Sequence, residues 1–508
     1  MTRISKIPAK IAFSFCTLFC LWPCFVFSQD VDTAWVRRYN GPGNGDDEAT
    51  AIAVDSGGSV YVTGSCFDST GYYDYCTIKY LPNGDTAWLR SYNGPGGFGD
   101  YAYGLAVDSS GNVYVTGESN GPGTSQDFAT IKYYPDGDTA WVRRYNGPGN
   151  DNEEKPSLAI DNSGNVYITG RSADVGSVSD YATIKYDSLG NEVWVARYNG
   201  PADSDDHSNA IAVDAVGNVY VTGRSLSDTT YDYATIKYAP NGDTLWVRRY
   251  DGPAGGNDIA YDIALGSNGD VYVAGSSLSN LLSDFAVIKY DSLGNQLWVR
   301  RSSAIPDVIE FGASLIAVDK LENVYVSGFS FYFPDGSNWL TIKYDSAGNQ
   351  LWVREWNGID LGAPRALRAM ALDTAGNIYI TGYDAWYAAT LKYNPDGNLI
   401  WEKKYDNGDL PLMNAIAINQ KGNVYVAGLA QHDFLTIKYS PLPQLKGDLN
   451  LDGILDVNDV VFALNCAFLG EPPPAAPSAC DINCDGKITP ADVVILLLMV
   501  FAAMPAPC

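Results

Sequence analysis

At 508 residues the chain is too long to fold around one ordinary hydrophobic core, so at least two folding units are expected. A formal net charge of −26 argues against nucleic acid as a partner, because phosphate binding requires clustered Lys and Arg. The 51 Gly, 35 Tyr and 12 Trp favour many short strands joined by tight turns over helical structure.

The first residues have the pattern of an export signal. A basic start is followed by an apolar run from Ile11 to Phe27, and small residues precede a cleavage point expected after Ser28. We therefore expect residues 1–28 to be a signal peptide and the protein to be secreted, either extracellular or at the cell surface. The apolar run is short for a bilayer, so no membrane span is expected after cleavage.

Four short segments recur eight times after the signal, and each is rich in β-branched and aromatic residues, as strands are. The segment VYVTG and its variants recur 46 to 54 residues apart, beginning at Val60, Val113, Val166, Val219, Val271, Val324, Ile378 and Val424. A second segment is centred on a tryptophan, at Trp35, Trp88, Trp141, Trp194, Trp246, Trp298, Trp352 and Trp401. The other two have sequences close to AIAVD and TIKY.

Glycine-containing turns separate these segments, so each repeat is predicted to be a four-stranded antiparallel blade and the chain an all-β propeller. The order of segments predicts the number of blades. The chain begins with a tryptophan strand, Ala34–Asn40, and its last repeat stops at Tyr439 without one. If the first strand completes the last blade, residues 29–440 close into eight blades with no unpaired edge. Seven blades with one detached repeat is the alternative.

The recurring pattern resembles the SBBP repeats of secreted bacterial β-propellers, whose sequence is close to IAVDxxGNVYVTG, over roughly residues 33 to 440. This resemblance implies a propeller and does not imply one activity. The stretch YDSLGNQLW at Tyr290–Trp298 is also similar to the tryptophan-docking turn of eight-bladed quinoprotein propellers. In that family the tryptophan packs one blade against its neighbour.

Two recurring sets of charged residues are candidates for pairing or binding. The lysines of the TIKY segments are predicted to pair with nearby acids, such as those opening the same strand: Asp74, Asp127, Asp180, Asp232, Asp284 and Asp433. A second set of acids precedes the innermost strand in five consecutive repeats: Asp47, Asp100, Glu153, Asp206 and Asp258. Phe311, Arg365 and Pro411 interrupt it in the last three. These acids could form a negative arc on one rim that binds a cation or cationic group, or they could cap loops by accepting backbone N–H bonds.

Other catalytic signals are weak. The two histidines, His207 and His432, are not in metal-ligand spacing, and His207 is expected to be solvated in an acidic loop. After the signal, Cys66 and Cys76 lie at the ends of adjacent predicted strands and are predicted to form a disulfide. Pairing among the remaining cysteines is left open: Cys466, Cys480, Cys484 and Cys508.

Residues 441–446 read as a linker, and residues 447–508 contain two copies of a calcium loop. Oxygen ligands stand at positions 1, 3 and 5, a Gly at 6 and a carboxylate at 12, so two calcium ions are expected. The first loop offers Asp448, Asn450, Asp452, Ile454 through its carbonyl, Asp456 and Asp459. The second offers Asp481, Asn483, Asp485, Lys487 through its carbonyl, Thr489 and Asp492.

Each loop precedes an apolar segment, Val460–Leu469 or Val493–Ala503, that is predicted to be a short helix. The pair resembles a type I dockerin, a small α-helical module with EF-hand-like loops. That resemblance implies a cohesin-like partner, often in assemblies that degrade polysaccharide. The positions that usually contact cohesin hold Val457-Asn458 and Pro490-Ala491 here.

Two functions are consistent with this organisation. The preferred hypothesis is a secreted, non-catalytic binding or scaffold propeller tethered through the calcium-binding module. The alternative is a carbohydrate-active enzyme, a glycosyl hydrolase or lyase, in which paired carboxylates of the propeller act on a polysaccharide.

Overall fold

The computed structural model describes residues 31–442 apart from 176–177, 280–281, 303–308, 333–335, 358–365, 385, 407 and 409, together with 457–464 and 490–502. Within these residues the chain forms 32 strands and two helices. The export signal expected at residues 1–28 and most of the linker lie outside the described residues.

The strands form eight four-stranded antiparallel sheets, which are the blades of the propeller. Blades 1 to 4 consist of β2–β5 (Glu48–Val54, Val60–Phe67, Tyr73–Tyr80, Thr86–Tyr92), β6–β9 (Asp100–Val107, Val113–Asn120, Gln126–Tyr133, Thr139–Tyr145), β10–β13 (Glu153–Ile160, Val166–Ala173, Ser179–Tyr186, Glu192–Tyr198) and β14–β17 (Asp206–Val213, Val219–Leu226, Tyr231–Tyr238, Thr244–Tyr250). Blades 5 to 8 consist of β18–β21 (Asp258–Leu265, Val271–Ser279, Leu282–Tyr290, Gln296–Ser302), β22–β25 (Ile309–Val318, Val324–Tyr332, Gly336–Tyr344, Gln350–Trp356), β26–β29 (Ala366–Leu372, Ile378–Asp384, Tyr387–Tyr393, Leu399–Tyr405) and β30–β32 (Leu412–Ile418, Val424–Ala430, Asp433–Pro441) with β1 (Val31–Tyr39).

The ring closes in the way the segment order predicted. The first strand of each blade contacts the first strand of the next, and β2 of blade 1 contacts β30 of blade 8. Strand β1 pairs antiparallel with β32, from Val31 opposite Pro441 to Tyr39 opposite Phe434. Eight blades are therefore confirmed, and the seven-bladed alternative is wrong.

The core lies between the blades. The second and third strands of a blade are covered on both faces by neighbouring sheets, so consecutive residues such as Val60, Tyr61 and Val62 are all buried. This double burial explains why the VYVTG segments read as continuous apolar runs instead of alternating. Tyr61 belongs to the cluster of blade 2, where it packs beside Trp88 and Val113.

At six of the eight junctions one tryptophan, one lysine and one arginine join a blade to the next, the arginine bonding the turn glycine. At the junction of blades 1 and 2, Trp88 Nε1 and the Lys79 ammonium both donate to the Pro135 carbonyl, at 3.1 and 2.9 Å. Arg90 Nε donates to the Gly137 carbonyl at 2.7 Å. Seven tryptophans make this bond to the turn of the following blade: Trp35, Trp88, Trp141, Trp194, Trp246, Trp298 and Trp352.

The pairing predicted between the TIKY lysines and nearby acids is wrong for most of the lysines. Their ammonium groups donate to backbone carbonyls of the next blade, as Lys132 does to Ser188 at 2.9 Å, and they lie over tyrosine rings. Lys289 alone among the described TIKY lysines also forms an ion pair, with Asp270. The strand-opening acids pair instead with fourth-strand arginines in blades 2 to 5: Asp127–Arg144, Asp180–Arg197, Asp232–Arg249 and Asp284–Arg301.

A disulfide joins β3 to β4 within blade 1. Its cysteines, Cys66 and Cys76, are both buried, with their Cα atoms 5.7 Å apart. The bond therefore links two strands that are already hydrogen-bonded to each other in one sheet. The other four cysteines that follow the signal lie outside the described residues.

The C-terminal region contributes two helices that contact each other, α1 (Val457–Leu464) and α2 (Pro490–Ala502). Each begins three residues before its predicted start. In α2 the first position is a proline, which needs no N–H partner there, and Asp492 in the first turn interacts favourably with the helix dipole. No helix in the described parts of the chain is long and apolar enough to span a membrane.

The tryptophan-accepting turn can be tested at its glycine. Gly294 has φ +82°, and a Cβ there would lie 2.9 Å from the Trp246 ring. Gly123 has nearly the same φ, +81°, and nothing within 4 Å. We expect Gly123→Ala to lose about 1 kcal/mol of unfolding free energy through backbone strain alone. Gly294→Ala should lose about 2 kcal/mol more, because the indole must move.

Denaturant unfolding of the two variants measures this difference. Equal losses would mean that the tryptophan contact does not constrain the turn.

Candidate functional site

The five acids of the interrupted set lie where the chain enters the first strand of blades 1 to 5. Asp47 immediately precedes β2, and the other four open β6, β10, β14 and β18. All five residues are 0% exposed. They do not form an open negative arc, because their carboxylates point into the protein.

These carboxylates accept backbone N–H groups from two directions. Asp100 accepts Gly94 N–H at 2.5 Å and Asn120 N–H at 3.1 Å, which ties the loop before β6 to the end of β7. Glu153 accepts Gly147 N–H at 3.0 Å, and Asp258 accepts Gly252 N–H at 2.6 Å. Asp47 and Asp206 bind equivalent loops. Loop capping, the alternative stated for this set, is the role these bonds perform.

Burial is the main cause of altered acidity in this set. It raises the pKa of all five carboxyl groups, and the hydrogen bonds from the loops oppose the increase. For Glu153 the result is a pKa of about 8, with Asp127 adding to the increase. The last three repeats have no acid at this position. Pro411, the residue found there in the last repeat, is buried. Arg365 lies outside the described residues, and Phe311 lies in β22.

One member of the set does meet other acids. One oxygen each from Asp232, Asp251 and Asp258 lies within 4.8 Å of the others, which is a spacing that could hold a metal ion. Asp258 Oδ1 is buried and has no hydrogen-bond partner, whereas Asp232 is also paired with Arg249 at 2.8 Å. Asp251 is exposed. Equivalent loops of the preceding blades have asparagine at that position: Asn40, Asn93, Asn146 and Asn199.

The calcium loops expected in the C-terminal region lie almost wholly outside the described residues. These comprise Asp448, Asn450, Asp452, Ile454 and Asp456 in the first loop, and Asp481, Asn483, Asp485, Lys487 and Thr489 in the second. Asp459 falls in α1 and Asp492 in α2, so the last predicted ligand of each loop lies in a helix. Asp492 is buried.

A set of residues that the repeat pattern did not single out lies at the inner edge of the same rim. It follows the glycine of each VYVTG segment, and its identity changes from blade to blade: Ser65, Glu118, Arg171, Arg224, Ser276, Phe329, Tyr383 and Leu429. This variation within otherwise constant segments was the available signal. Seven of these residues pair with first-strand residues at the same level, as Arg171 does with Glu154 and Arg224 with His207.

The expectation that His207 is solvated is wrong. It lies on β14, where its Nδ1 is 3.2 Å from Arg224 Nη2. Burial, followed by the charges of Arg224 and Arg171, lowers the pKa of His207 to about 4. The imidazole is therefore neutral at physiological pH.

Small cavities lie at the opposite rim, between the turns of neighbouring blades. One of 180 Å³ is lined by Asp108, Tyr114 and Lys132, together with the turn around Gly164. In this turn Asp108 accepts hydrogen bonds from Asn112 and Tyr114, so its carboxylate is committed to the fold.

Comparison with known proteins agrees with the repeat architecture. Residues 96–123 and 193–228 match the SBBP beta-propeller repeat family. The uncharacterized WD repeat-containing protein L264 of Acanthamoeba polyphaga mimivirus is 25% identical over 466 residues, covering 73% of this chain and 32% of that protein. Regulatory protein FlaEY of Caulobacter vibrioides is 32% identical over 140 residues, covering 25% of this chain and 14% of that protein. The chain spans about a third or less of the length of these relatives.

A solved structure with the same kind of fold is Sqt1 from Chaetomium thermophilum. It superposes with a TM-score of 0.51 at 11% identity, covering 82% of this chain and 99% of that one. At this identity the similarity is one of fold alone. Together with the repeat matches, it identifies the chain as a β-propeller repeat protein.

The buried acids can be tested by their pH dependence. A carboxyl whose folded pKa is raised destabilises the protein as pH rises from its ordinary value of 4.5 to about 8. Glu153→Gln should therefore match the parent in melting temperature near pH 4.5 and exceed it increasingly up to pH 8. The glutamine oxygen keeps the bond to Gly147.

Asp108→Asn is the opposite control. Burial alone would raise the pKa of Asp108, but its hydrogen bonds from Asn112 and Tyr114 hold it below the ordinary value of 3.8. This carboxylate therefore contributes stability above pH 3.8 that is lost as pH falls. Asp108→Asn should melt lower at neutral pH, with the difference shrinking in acid. The same sign for both variants would contradict these assignments.

Proposed function

We propose that the protein is a secreted, non-catalytic binding or scaffold propeller, carried by a calcium-binding module at its C-terminal end. The observation that carries the proposal is how the recurring polar groups are used. The tryptophans, lysines and arginines of the repeat bond to neighbouring blades, and four of the strand-opening acids pair with arginines. The blades also differ in their loops and strand ends, where recognition surfaces of propellers are built.

Cation binding is proposed at the loop between blades 4 and 5. Asp232, Asp251 and Asp258 bring three carboxylates together, and oxygen ligands of this kind suit calcium. The buried Asp258 oxygen without a hydrogen-bond partner supports the proposal, since a cation would satisfy it. Asp251 is the residue that distinguishes this blade, because earlier blades have asparagine there.

Replacing that residue tests the cation site. In a chain carrying Asp448→Ala and Asp481→Ala, so that the C-terminal loops do not contribute, calcium should raise the propeller's melting temperature. The gain should correspond to about 2.7 kcal/mol at a hundredfold excess over the dissociation constant. Asp251→Asn, which restores the asparagine of earlier blades, should abolish the gain.

Asn199→Asp supplies the converse experiment, since it gives the loop between blades 3 and 4 a third acid beside Asp180 and Asp206. It should increase the calcium response. An equal response from Asp251→Asn and its parent would exclude binding at this loop. Cleavage of common polysaccharides by the purified chain, lost on Asp258→Asn, would overturn the non-catalytic role in favour of a carbohydrate-active enzyme.

The C-terminal module is proposed to bind two calcium ions and to tether the propeller to a cohesin-like partner or another extracellular protein associated with polysaccharide. The paired loops described in the sequence support this proposal. Helices α1 and α2 are short and contact each other, and their buried residues include Val460, Ala463 and Leu496. Such a small core needs additional stabilisation, which metal binding provides.

Calcium should therefore order the C-terminal module in the full chain. We expect added calcium to increase helical circular dichroism and protect α2 from hydrogen exchange. Asp448→Ala with Asp481→Ala should abolish both effects. Asp151→Ala with Asp228→Ala, which removes two exposed acids of the propeller, should leave them intact. Equal protection of α2 in excess chelator would contradict calcium-dependent folding.

A further inference from the structure

A cationic cluster lies at the inner edge of blades 3 and 4. It consists of Lys155, Arg171, His207 and Arg224. Lys155 and His207 are on the first strands, which surround the central channel, and the two arginines are on the second strands. At the level of Arg171 and Arg224, blades 1, 5 and 8 have Ser65, Ser276 and Leu429. In a chain of net charge −26, this concentration of positive charge is local and specific to two blades.

Arg224 carries a charge that no carboxylate balances directly. Among the described residues it forms no ion pair, in contrast to Arg171, which pairs with Glu154 at 2.8 Å. Its guanidinium carbon lies 4.7 Å from the centre of the Tyr231 ring. Its Nε is buried without a hydrogen-bond partner. A partly buried guanidinium in this condition is costly unless an anion compensates it.

The contact between Arg224 and His207 fixes the state of the imidazole. A guanidinium can only donate hydrogen bonds, so His207 Nδ1 must accept the bond from Nη2 and be unprotonated. The imidazole proton is then on Nε2, which is buried and has no hydrogen-bond partner. His207 is thus a neutral imidazole beside the guanidinium.

Blade 3 completes the cluster with a strained backbone. Lys155 has φ +51°, a left-handed conformation that is uncommon for residues other than glycine. Its N–H donates to Glu118 Oε1 at 2.7 Å, which holds the conformation, and its side chain is exposed. Arg171 Nε, like that of Arg224, is buried without a partner.

The charged groups around His207 are of both signs. The acids are Asp205 on the preceding loop, Glu154 paired with Arg171, and Glu118 on blade 2, which also accepts the Tyr103 hydroxyl at 3.4 Å. The cations are Lys155, Arg171 and Arg224. Glu154 is held by Arg171, and Glu118 by Lys155 N–H. Within the described part of the chain, neither Arg224 nor Lys155 forms a direct ion pair with any of these acids, so both can meet the charge of a ligand.

We propose that the cationic cluster binds the oxyanion group of a ligand, a carboxylate or a phosphate, with the guanidinium of Arg224 as its donor and His207 beside it. This inference rests on the binding role proposed for the propeller and names the chemistry of what is bound. Arginine presents a planar set of donors that matches both groups. Lys155 would add charge without directional requirements.

The test uses the fact that the chain has two histidines. Histidine-selective NMR on the full chain follows the pKa of His207, with His432 as the internal reference. Bound galacturonate should raise the His207 pKa by about 1 unit, because a nearby anion favours the imidazolium. The His432 pKa should not change. Inorganic phosphate tests the second source of the same chemistry, and galactose is the uncharged control.

Arg224→Gln should abolish the ligand-induced shift. Arg368→Gln removes an exposed arginine from the first strand of blade 7 and should leave the shift intact. Arg224→Lys keeps the charge without the planar donors and should weaken binding at least tenfold, which keeps the test decisive if the glutamine variant unfolds. A shift with both anions supports an oxyanion site, and a shift with one identifies the source.

The proposal is overturned if neither anion moves the His207 pKa, or if galactose moves it equally. Failure of the proposed function would appear separately, as polysaccharide cleavage. The shift of the His207 pKa on anion binding would still be observed in that case.

Discussion

Insertion of one blade's tryptophan, lysine and arginine into the next blade's turn is the interaction on which the propeller depends. The indole and ammonium share a single carbonyl, and the guanidinium takes another two residues later, as at Pro135 and Gly137. Each blade therefore has a donor side and an acceptor side. A row of such blades is satisfied only when the donors of its last blade meet the acceptor turn of its first, which favours a closed ring over an open stack.

The same interaction explains which charged side chains are not used in holding the blades together. The lysines of the TIKY segments and the arginines two residues after the tryptophan are committed to backbone carbonyls. The arginines three residues after the tryptophan bond to acids, tyrosines and serines. A charged group at a position where charge does not recur has no structural partner that recurs from blade to blade. Arg224, Lys155 and Asp251 are such groups, and all three lie at the rim where the chain enters the first strands. Charged residues that do not follow the repeat are therefore the candidates for a role other than folding.

The sequence was sufficient for the parts of the structure that recur. Strand positions, the eight blades and closure by the first strand could be predicted, because periodic apolar segments and glycine turns reflect local preferences repeated eight times. The partners of Lys132 could not, since its acceptor lies 56 residues away on the next blade. His207 was misjudged because its sequence neighbours are acids, whereas the strand register places it opposite Arg224. The five rim acids showed their capping role only through bonds to Gly94, Asn120 and their equivalents.

The position of β32 has a mechanical consequence. It is an interior strand of blade 8, with β31 on one side and β1 on the other, and it is also the strand through which the chain leaves the propeller. Tension applied through the C-terminal region enters the ring at Pro441, which is opposite Val31. Such a load is shared between two ladders of hydrogen bonds from the outset. A pull that peels β1 from β32 would break only one of these ladders and would open the ring at its seam.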